Sequence, residues 1–315
     1  MTEITVGDEL TPFVRVTDFP EWNRYAAVND EFIDVHMSAD AAQAAGQPDV
    51  FGMGNLRIAY AHNLLHDWLG GRGDVAEFAC QFRGLNFRGD ELTTWGRVTA
   101  VEQRGGLQCA GVEIGVRNQA GDETMPATAT VVLFDGTARM PDAPPTAEVA
   151  SREVGVHLDE ATIACLGVPT APVESYRVDS SDIRRWAQAV YYPDPPPADF
   201  VSDEGAAAAG SAWGGVVAAR DFNPFAWVET YHPEAYPWMR GMGTEPGSRG
   251  LNGGQRNLSF VPIRPGDIIT SVATLVDAYE KEGRLGTMLF LVDESRWTNQ
   301  NGDLVRIGIR TSIYY

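Results

Sequence analysis

Two acidic residues and a histidine near the start of the chain could together carry out acid–base chemistry. His36 follows Glu31 by five residues, and Asp30 stands one position before that glutamate. A glycine-containing turn comes next, in which Gly52 and Gly54 precede a long stretch with helical periodicity. A carboxylate, a histidine and the free backbone N–H groups at a helix start are the groups that adding water across a polarised double bond requires.

Each of these groups also has a purely structural interpretation. The histidine could be a hydrogen-bonded core residue, and the acidic residues could form a solvated turn. The two glycines could simply make a tight turn before a helix. His62 and His66 stand four residues apart, as in some metal sites, but no third ligand has a recognisable spacing. We therefore expect no metal site and no cofactor.

The stretch from Asn55 to Leu69 predicts an amphipathic helix. Its apolar residues fall at helical spacing and could bury a broad face. They are Leu56, Ile58, Ala59, Leu64, Leu65, Trp68 and Leu69. Gly70 and Gly71 predict the end of this helix, because glycine accepts the left-handed conformation that closes many helices.

The strands that follow this helix occur twice in the chain. A Gly-Asp turn at Gly89 precedes two long strands, a hairpin and an Asn-Gln-x-Gly-Asp turn, and the same order begins again at Gly266. Asn, Asp and Gly at these turns are the residues that tolerate positive φ. The pattern predicts an internal duplication of an α+β unit, in which a helix is followed by antiparallel strands. Two such units would sit side by side and share a continuous sheet.

Prolines mark the boundary between the two units. Pro141, Pro144 and Pro145 lie close together and cannot continue a helix or an inner strand, so they predict a linker. We place the first domain at residues 1–140, the linker at 141–150 and the second domain at 151–315.

Composition limits the classes of partner. The net charge of −19 disfavours nucleic acid and anionic membranes. No apolar run is long enough to span a bilayer, and the first residues show no secretory signal. Cys80, Cys109 and Cys165 are few and lack metal spacing, which predicts buried free thiols in a reducing compartment. These features favour a cytoplasmic location.

Both halves resemble known proteins. The first half is similar to the MaoC-like, R-specific enoyl-CoA hydratases, through Tyr25, residues 29–36, Ala41, Ala45, Gly46, residues 50–54 and residues 87–90. The second half is similar to the motif-poor partner domain of the same superfamily, through residues 181–187, 251–255 and 263–267. The resemblance implies an α+β fold, a tandem (double) hotdog with an antiparallel sheet wrapped around a central helix in each half.

The resemblance also implies a reaction and its catalytic residues. A carboxylate and His36 would hold one water, which adds to C3 of a trans-2-enoyl-CoA while a proton reaches C2. A backbone N–H of Gly54 would stabilise the thioester oxygen. The family pattern is approximately Gly-Asp-x-Asn-Pro-[Ile/Leu]-His, and here Glu31 replaces its Asp while Asp30 replaces its Gly. Either Glu31 or Asp30 could therefore be the catalytic carboxylate, and the reverse reaction would be dehydration of a 3-hydroxyacyl-CoA.

Binding of an anionic CoA thioester requires local positive charge, because the whole chain is negative. We predict that Asn55, Arg57, Arg88 and Arg264 bind the substrate near the junction of the two halves. The aromatic-rich stretches 221–227 and 231–238 would shape the pocket or pack the core.

Two other functions remain compatible with the sequence. The protein could be a non-catalytic acyl-CoA-binding subunit of a hotdog complex, or a hotdog thioesterase that uses a carboxylate without this histidine. A homo-oligomer, such as a dimer, or an assembly with another hotdog subunit is expected in either case.

Overall fold

The computed structural model of the chain describes residues 4–146, 148–149, 151–240, 245–283 and 285–315. Its helices are α1 (Phe19–Asn29), α2 (Asp34–Met37), α3 (Ala39–Ala44), α4 (Gly54–Leu69), α5 (Glu160–Ala164), α6 (Ser180–Val190) and α7 (Asp203–Ala208), with 3-10 turns at Ala198–Phe200 and Pro233–Ala235. Its strands are β1 (Glu9–Val16), β2 (Gly73–Cys80), β3 (Glu91–Arg104), β4 (Leu107–Arg117), β5 (Glu123–Leu133), β6 (Val173–Glu174), β7 (Gly250–Ser259), β8 (Thr270–Gly283), β9 (Gly286–Thr298) and β10 (Leu304–Tyr314).

The strands of the described residues form a single ten-stranded antiparallel sheet. Their order is β1-β3-β4-β5-β2-β7-β10-β9-β8-β6. Across the sheet, the strands of the second half therefore follow the mirror image of the order of their counterparts in the first half. Strands β2 and β7 meet at the centre, where Phe78 pairs with Asn257. The predicted side-by-side pair with a continuous sheet is confirmed, and the predicted linker at 141–150 lies between β5 and α5.

The two Gly-Asp turns that suggested a duplication have the same internal structure. Gly89 and Gly266 both adopt positive φ, at 81° and 100°. The aspartates that follow them, Asp90 and Asp267, each accept a hydrogen bond from the backbone N–H three residues earlier, at 2.7 Å and 2.8 Å. Each also accepts one from the glutamine of the later Asn-Gln turn, at 2.7 Å and 3.0 Å. Two matching networks of this kind confirm the predicted correspondence of the turns.

Helix α4 is the predicted central helix of the first half. It begins at Gly54, one residue earlier than predicted, and most of its length is buried against the sheet. Gly70 ends it in the left-handed conformation at φ 52°, as expected from the glycine pair. Each fully buried leucine of this helix, such as Leu65, contributes about 1.5–3 kcal/mol of burial free energy. The hydrophobic core therefore holds α4 in place behind the strands.

The second half repeats the first helix but not the long one. Helices α1 and α6 are both 11 residues long, and both begin with an aspartate capping box, at Asp18 and Asp179. Between α7 and β7, the described residues form turns and one 3-10 turn where a counterpart of α4 would stand. Pro224 and Pro237, together with several glycines, lie in this stretch and oppose a continuous helix.

Two predictions from bulk properties can be compared with the structure. Cys80 and Cys109 are buried free thiols, whereas the free thiol of Cys165 is only half-buried because the residue ends the short surface helix α5. Across the described ranges, no helix combines the length and the apolar character that a membrane span needs.

Candidate active site

His36 lies in the short helix α2 and is almost completely buried. Its Nδ1 atom is 2.7 Å from the backbone carbonyl oxygen of Phe51. Since a carbonyl only accepts hydrogen bonds, Nδ1 carries the proton and Nε2 keeps its lone pair. Burial lowers the pKa of His36 below its ordinary value of 6.5, and the hydrogen bond to Phe51 offsets part of that shift. The imidazole is therefore neutral at neutral pH, with Nε2 able to accept a proton.

Glu31 is held by two amide side chains. Asn29 donates a hydrogen bond to Glu31 Oε2 at 2.6 Å, and Asn55 donates a second at 3.3 Å to the same oxygen. Burial raises the pKa of Glu31 above its ordinary value, while the hydrogen bonds from Asn29 and Asn55 oppose that rise. Glu31 is thus a positioned and partly desolvated carboxylate, which is typical of acid–base residues.

Asp30 occupies a different environment from Glu31. It caps the C-terminus of α1 in the left-handed conformation at φ 52°, where its backbone N–H bonds to the carbonyl of Ala26. Its side chain is exposed, and no hydrogen bond to that side chain occurs within the described residues. These contacts favour Glu31 over Asp30 as the carboxylate partner of His36.

His36 and Glu31 meet the same helix end from two sides. His36 is tied through Phe51 to the turn that leads into α4, and Glu31 is tied through Asn55 to the first turn of that helix. The helix begins at Gly54 without a side-chain cap, so backbone N–H groups remain for another acceptor. A Cβ atom at Gly54 would lie 3.0 Å from the ring of Phe82. The absence of a side chain at Gly54 thus allows the ring of Phe82 to pack closely against the start of the helix.

The second half does not repeat this pair of residues. When the 11-residue helices α1 and α6 are aligned, Tyr192 and Pro197 occupy the positions of Glu31 and His36. Neither can replace the carboxylate or the imidazole. The combination of Glu31 and His36 therefore has no counterpart at the matching positions of the second half.

A polar cavity of about 160 Å³ lies between the two halves, next to the Glu31 amide partners. We call it the junction cavity. Its lining is Tyr25, Asn29, Asn55, Ile58, Asp221, Asn223, Tyr231, Gln255, Asn257, Trp297 and Arg306. Asn29 and Asn55 connect it to Glu31, because both line the cavity and both bond to that carboxylate. A bound molecule that extends from Glu31 into the junction cavity would have its other end among the polar side chains of that cavity.

An open groove of about 290 Å³ adjoins the junction cavity, and both are lined by Asn223. We call it the entrance groove. The aromatic residues Tyr176 and Trp227 are 63% and 55% exposed there. Arg177 and Arg185 line the same groove together with Asp182, whose carboxylate lies 3.7 Å from the guanidinium of Arg185. Aromatic faces beside guanidinium groups form a surface suited to a nucleotide with phosphates.

The predicted substrate-binding residues lie in different places. Asn55 lines the junction cavity. The buried Arg57 donates to the carbonyls of Gly84 and Thr124 at 2.7 Å and 3.1 Å, and burial lowers its pKa to about 10. Exposed Arg88 forms an ion pair with Asp49, and Arg264 donates to the carbonyl of Trp213. The structure brings none of these three arginines to the cavity or the groove, so their role in substrate binding stays a prediction.

The two histidines of α4, His62 and His66, contact different residues. His66 forms a 3.1 Å ion pair with Asp199, whereas His62 packs against the ring of Phe78 and has no hydrogen bond within the described residues. No group of three potential ligands that could hold a metal ion occurs in the part of the chain that the structure describes.

Several residues of this region lie outside any motif. Asn29 is the first residue of the run 29–36 that resembles the hydratases, but the sequence predicted no role for it. Asp221 was noted only as the first residue of the aromatic-rich stretch 221–227. Arg177 carries no spacing signal, and Arg185 lies within the run 181–187 without standing out in it; they reach the groove from the loop between β6 and α6 and from the middle of α6, through the folding of the second half. Only their charge in an acidic chain could have drawn attention to them.

Comparison with known proteins places the fold. Residues 164–307 match the family model described as FAS1-like, dehydratase domain region. A search of curated proteins found no match.

Solved structures match over nearly the whole chain. A putative MaoC domain protein dehydratase from Chloroflexus aurantiacus J-10-fl is 12% identical, with a TM-score of 0.65 over 99% of this chain and 95% of that one. A MaoC-like dehydratase is 16% identical, with a TM-score of 0.63 and 98% coverage of both chains. A conserved hypothetical protein from Mycobacterium tuberculosis, described as having a double hotdog fold, is 11% identical with a TM-score of 0.63, over 99% of this chain and 97% of that one. The expected resemblance is confirmed: the chain has the α+β double hotdog fold of the MaoC-like dehydratases, and its second half matches the FAS1-like dehydratase region.

Proposed function

We propose that the protein adds water reversibly to a trans-2-enoyl-CoA, the reverse reaction being dehydration of a 3-hydroxyacyl-CoA. The observation that carries the proposal is that His36 and Glu31 are each hydrogen-bonded to a residue beside the uncapped start of α4, to Phe51 and to Asn55. A proton acceptor, a positioned carboxylate and free backbone N–H groups are then available around one reacting centre. The double hotdog fold is compatible with this chemistry, but the site residues provide the argument.

In the proposed reaction, one water lies between Nε2 of His36 and the carboxylate of Glu31. His36 takes a proton from the water while the water oxygen forms a bond to C3 of the enoyl group. The C2–C3 double bond opens, and negative charge moves to the thioester oxygen, which accepts a hydrogen bond at the start of α4 near Gly54. The proton is then returned to C2 on the same face, so that the elements of one water are added in total. General acid–base catalysis of this kind typically contributes about 10²–10⁴ in rate.

The entrance groove is the proposed place for the CoA portion of the substrate. It lies at the junction of the two halves, since Ala27 and Val28 of α1 form one side and Arg177, Arg185 and Trp227 form the other. The exposed aromatic rings would stack on the adenine base, and the guanidinium groups would meet the phosphates. The CoA portion would thus bind at the junction of the two halves, as the sequence analysis predicted. The arginines proposed to bind it are Arg177 and Arg185 instead of Arg57, Arg88 and Arg264.

Turnover of enoyl thioesters tests the proposal directly. Loss of enoyl-thioester absorbance should be followed with trans-2-enoyl-CoAs of short, long and polycyclic acyl groups, and the product should be a 3-hydroxyacyl-CoA. Release of free thiol without loss of the double bond would instead identify a thioesterase. Tight binding without either reaction would identify a non-catalytic acyl-CoA-binding subunit.

The pH dependence of kcat/KM should show an acid limb with a midpoint below about 6.5. His36 must be unprotonated at Nε2, and burial holds its pKa below the ordinary value of 6.5. Glu31 must also be ionised, and its raised pKa starts from an ordinary value of 4.5. Rates of the wild type and of Glu31→Gln measured from about pH 4.5 to about pH 8.5 would check this; a midpoint clearly above 6.5 that persists in the residual activity of Glu31→Gln, which lacks the second carboxylate, would contradict the assignment of His36 as the neutral proton acceptor.

Removing charge from the entrance groove should weaken substrate binding more than turnover. Arg177→Ala is expected to raise KM for an enoyl-CoA about three- to tenfold with kcat nearly unchanged, since the phosphates bind equally in the ground and transition states. Added salt should raise KM less in this variant than in the wild type, because screening acts on the lost charge.

Arg104→Ala provides the matched control. Arg104 is also exposed, but it pairs with Glu102 near the β3–β4 hairpin and does not line the groove. The control should leave KM unchanged. Equal effects of both substitutions would mean that only the net charge of the protein matters, and the groove would lose its role.

A further inference from the structure

Asp221 brings an unsatisfied carboxylate into the junction cavity. Both of its carboxylate oxygens are buried, and neither makes a hydrogen bond of normal geometry within the described residues; the nearby indole N–H of Trp186 is likewise without such a bond. Buried polar groups are normally paired, because a buried group without a hydrogen bond has lost its bonds to water with nothing in return. The catalytic proposal does not use this carboxylate.

Arg306 supplies the opposite kind of group in the same cavity. Its guanidinium lies 3.4 Å from the centre of the Trp297 ring, and its buried Nε atom has no partner among the described residues. Amide side chains of Asn223, Gln255 and Asn257 line the cavity nearby. The cavity therefore offers both hydrogen-bond acceptors and hydrogen-bond donors in a small volume.

A saturated hydrocarbon chain fits this cavity poorly. It would fill the space beside Asp221 and Arg306 and would provide no hydrogen bonds to them. An anionic acyl group would be attracted by Arg306 but would face the carboxylate of Asp221. A neutral hydroxyl group has neither problem, since its O–H can donate to Asp221 while its oxygen accepts from Arg306 or from an amide.

We infer that the junction cavity binds the distal end of the acyl group and that this end carries a neutral hydroxyl group. The inference rests on the proposed function for the direction of binding, since Asn29 and Asn55 join Glu31 to the cavity. The protein would then act on hydroxylated acyl thioesters in preference to fatty ones. Asp221 and Arg306 are the residues that determine this specificity.

The ionisation of Asp221 supports its role as an acceptor. Burial raises the pKa of Asp221 to about 6, and the indole N–H of Trp186 and the positive charge of Arg306 oppose that rise. At pH 8 the carboxylate is therefore mostly ionised and accepts a hydroxyl hydrogen. Since the raised pKa means that ionising Asp221 destabilises the folded protein as pH rises above about 4, an Asp221→Asn variant should have a higher Tm than wild type at pH 8.

Two pairs of isosteric thioesters test the inference at pH 8. The substrates are 5-hydroxy-trans-2-hexenoyl-CoA and 5-methyl-trans-2-hexenoyl-CoA, which differ only in a hydroxyl for a methyl group. The saturated analogues, 5-hydroxyhexanoyl-CoA and 5-methylhexanoyl-CoA, cannot be hydrated and report binding alone. Wild-type protein should favour the hydroxyl compound at least about tenfold in kcat/KM and in Kd, because a site built for a hydroxyl rejects an apolar isostere.

Two substitutions at Asp221 separate recognition from folding. Asp221→Asn keeps an oxygen acceptor of the same shape and should retain the preference within about threefold, whereas Asp221→Leu removes the acceptor and should reduce the preference to about twofold or less. A purely structural role for Asp221 would not distinguish a hydroxyl from a methyl group in this way.

The outcomes are distinguishable from those of the proposed function. A Kd preference for the saturated hydroxyl analogue without turnover of either enoyl-CoA would support the cavity and overturn the hydratase. Equal or tighter binding of the methyl analogue by wild-type protein would overturn the cavity, and so would a preference that survives in a folded Asp221→Leu variant. Tighter binding of adipoyl-CoA, whose distal group is a carboxylate, would show that Arg306 dominates and would also overturn the inference.

Discussion

Replacement of His36 by alanine is expected to lower kcat for enoyl-CoA hydration by at least about 100-fold, with a much smaller change in KM. The imidazole is the proposed proton acceptor, and its Nε2 atom makes no hydrogen bond within the described residues. The variant should fold normally, because the side chain lies in the four-residue helix α2 and its one hydrogen bond joins it to the backbone of Phe51. Initial rates and thermal unfolding should be measured together.

His232→Ala is the matched control for this substitution. His232 is exposed, its ring pairs with Glu234 and with no other charged group among the described residues, and it lies outside both the cavity and the groove, so its loss should leave rate and Tm unchanged. Added imidazole should partly restore the rate of the His36→Ala variant, which a residue needed only for packing would not show. Near wild-type activity of that variant, or its failure to fold, would remove His36 from the reaction.

The sequence allowed the architecture of the sheet to be predicted because its turns are repeated. Gly89 and Gly266 could be matched from the residues around them, and the structure shows the same hydrogen bonds at both. The length of α4 followed from its apolar face and from Gly70. The loss of a long helix in the second half was missed, because the duplication suggested helix-then-strand order in both units. Proline and glycine between α7 and β7 carried the correct signal.

The site could be predicted only where its residues are neighbours in the chain. Glu31, His36 and Gly54 lie within one short segment, so their spacing was visible. Asp221 and Arg306 come from a loop and a strand of the second half, and the folding of that half brings both to the junction cavity. For the arginines, charge alone indicated Arg57, which the fold instead uses to satisfy backbone carbonyls beside β5. Sequence shows which groups are present, but tertiary packing decides which of them remain unpaired.

Glu31→Gln should lower kcat about 100-fold, whereas Asp30→Asn should change it less than about threefold. Glutamine has the shape of glutamate and can still accept hydrogen bonds from Asn29 and Asn55, so the fold and the amide contacts should survive while the charge is lost. Asp30 is exposed and acts through its backbone as the C-cap of α1, so its carboxylate has no role in the proposed reaction.

Glu31→Asp tests whether the reaction requires the longer side chain of glutamate. The shorter side chain would withdraw the carboxylate from Asn55, whose hydrogen bond is already 3.3 Å long, and a displacement of about 1 Å can cost on the order of 100-fold in rate. We therefore expect Glu31→Asp to lose activity although aspartate is the residue of the family pattern. A larger loss with Asp30→Asn than with Glu31→Gln would instead identify Asp30 as the catalytic carboxylate. An Asp variant as active as wild type would mean that the backbone between α1 and α2 adjusts to either length.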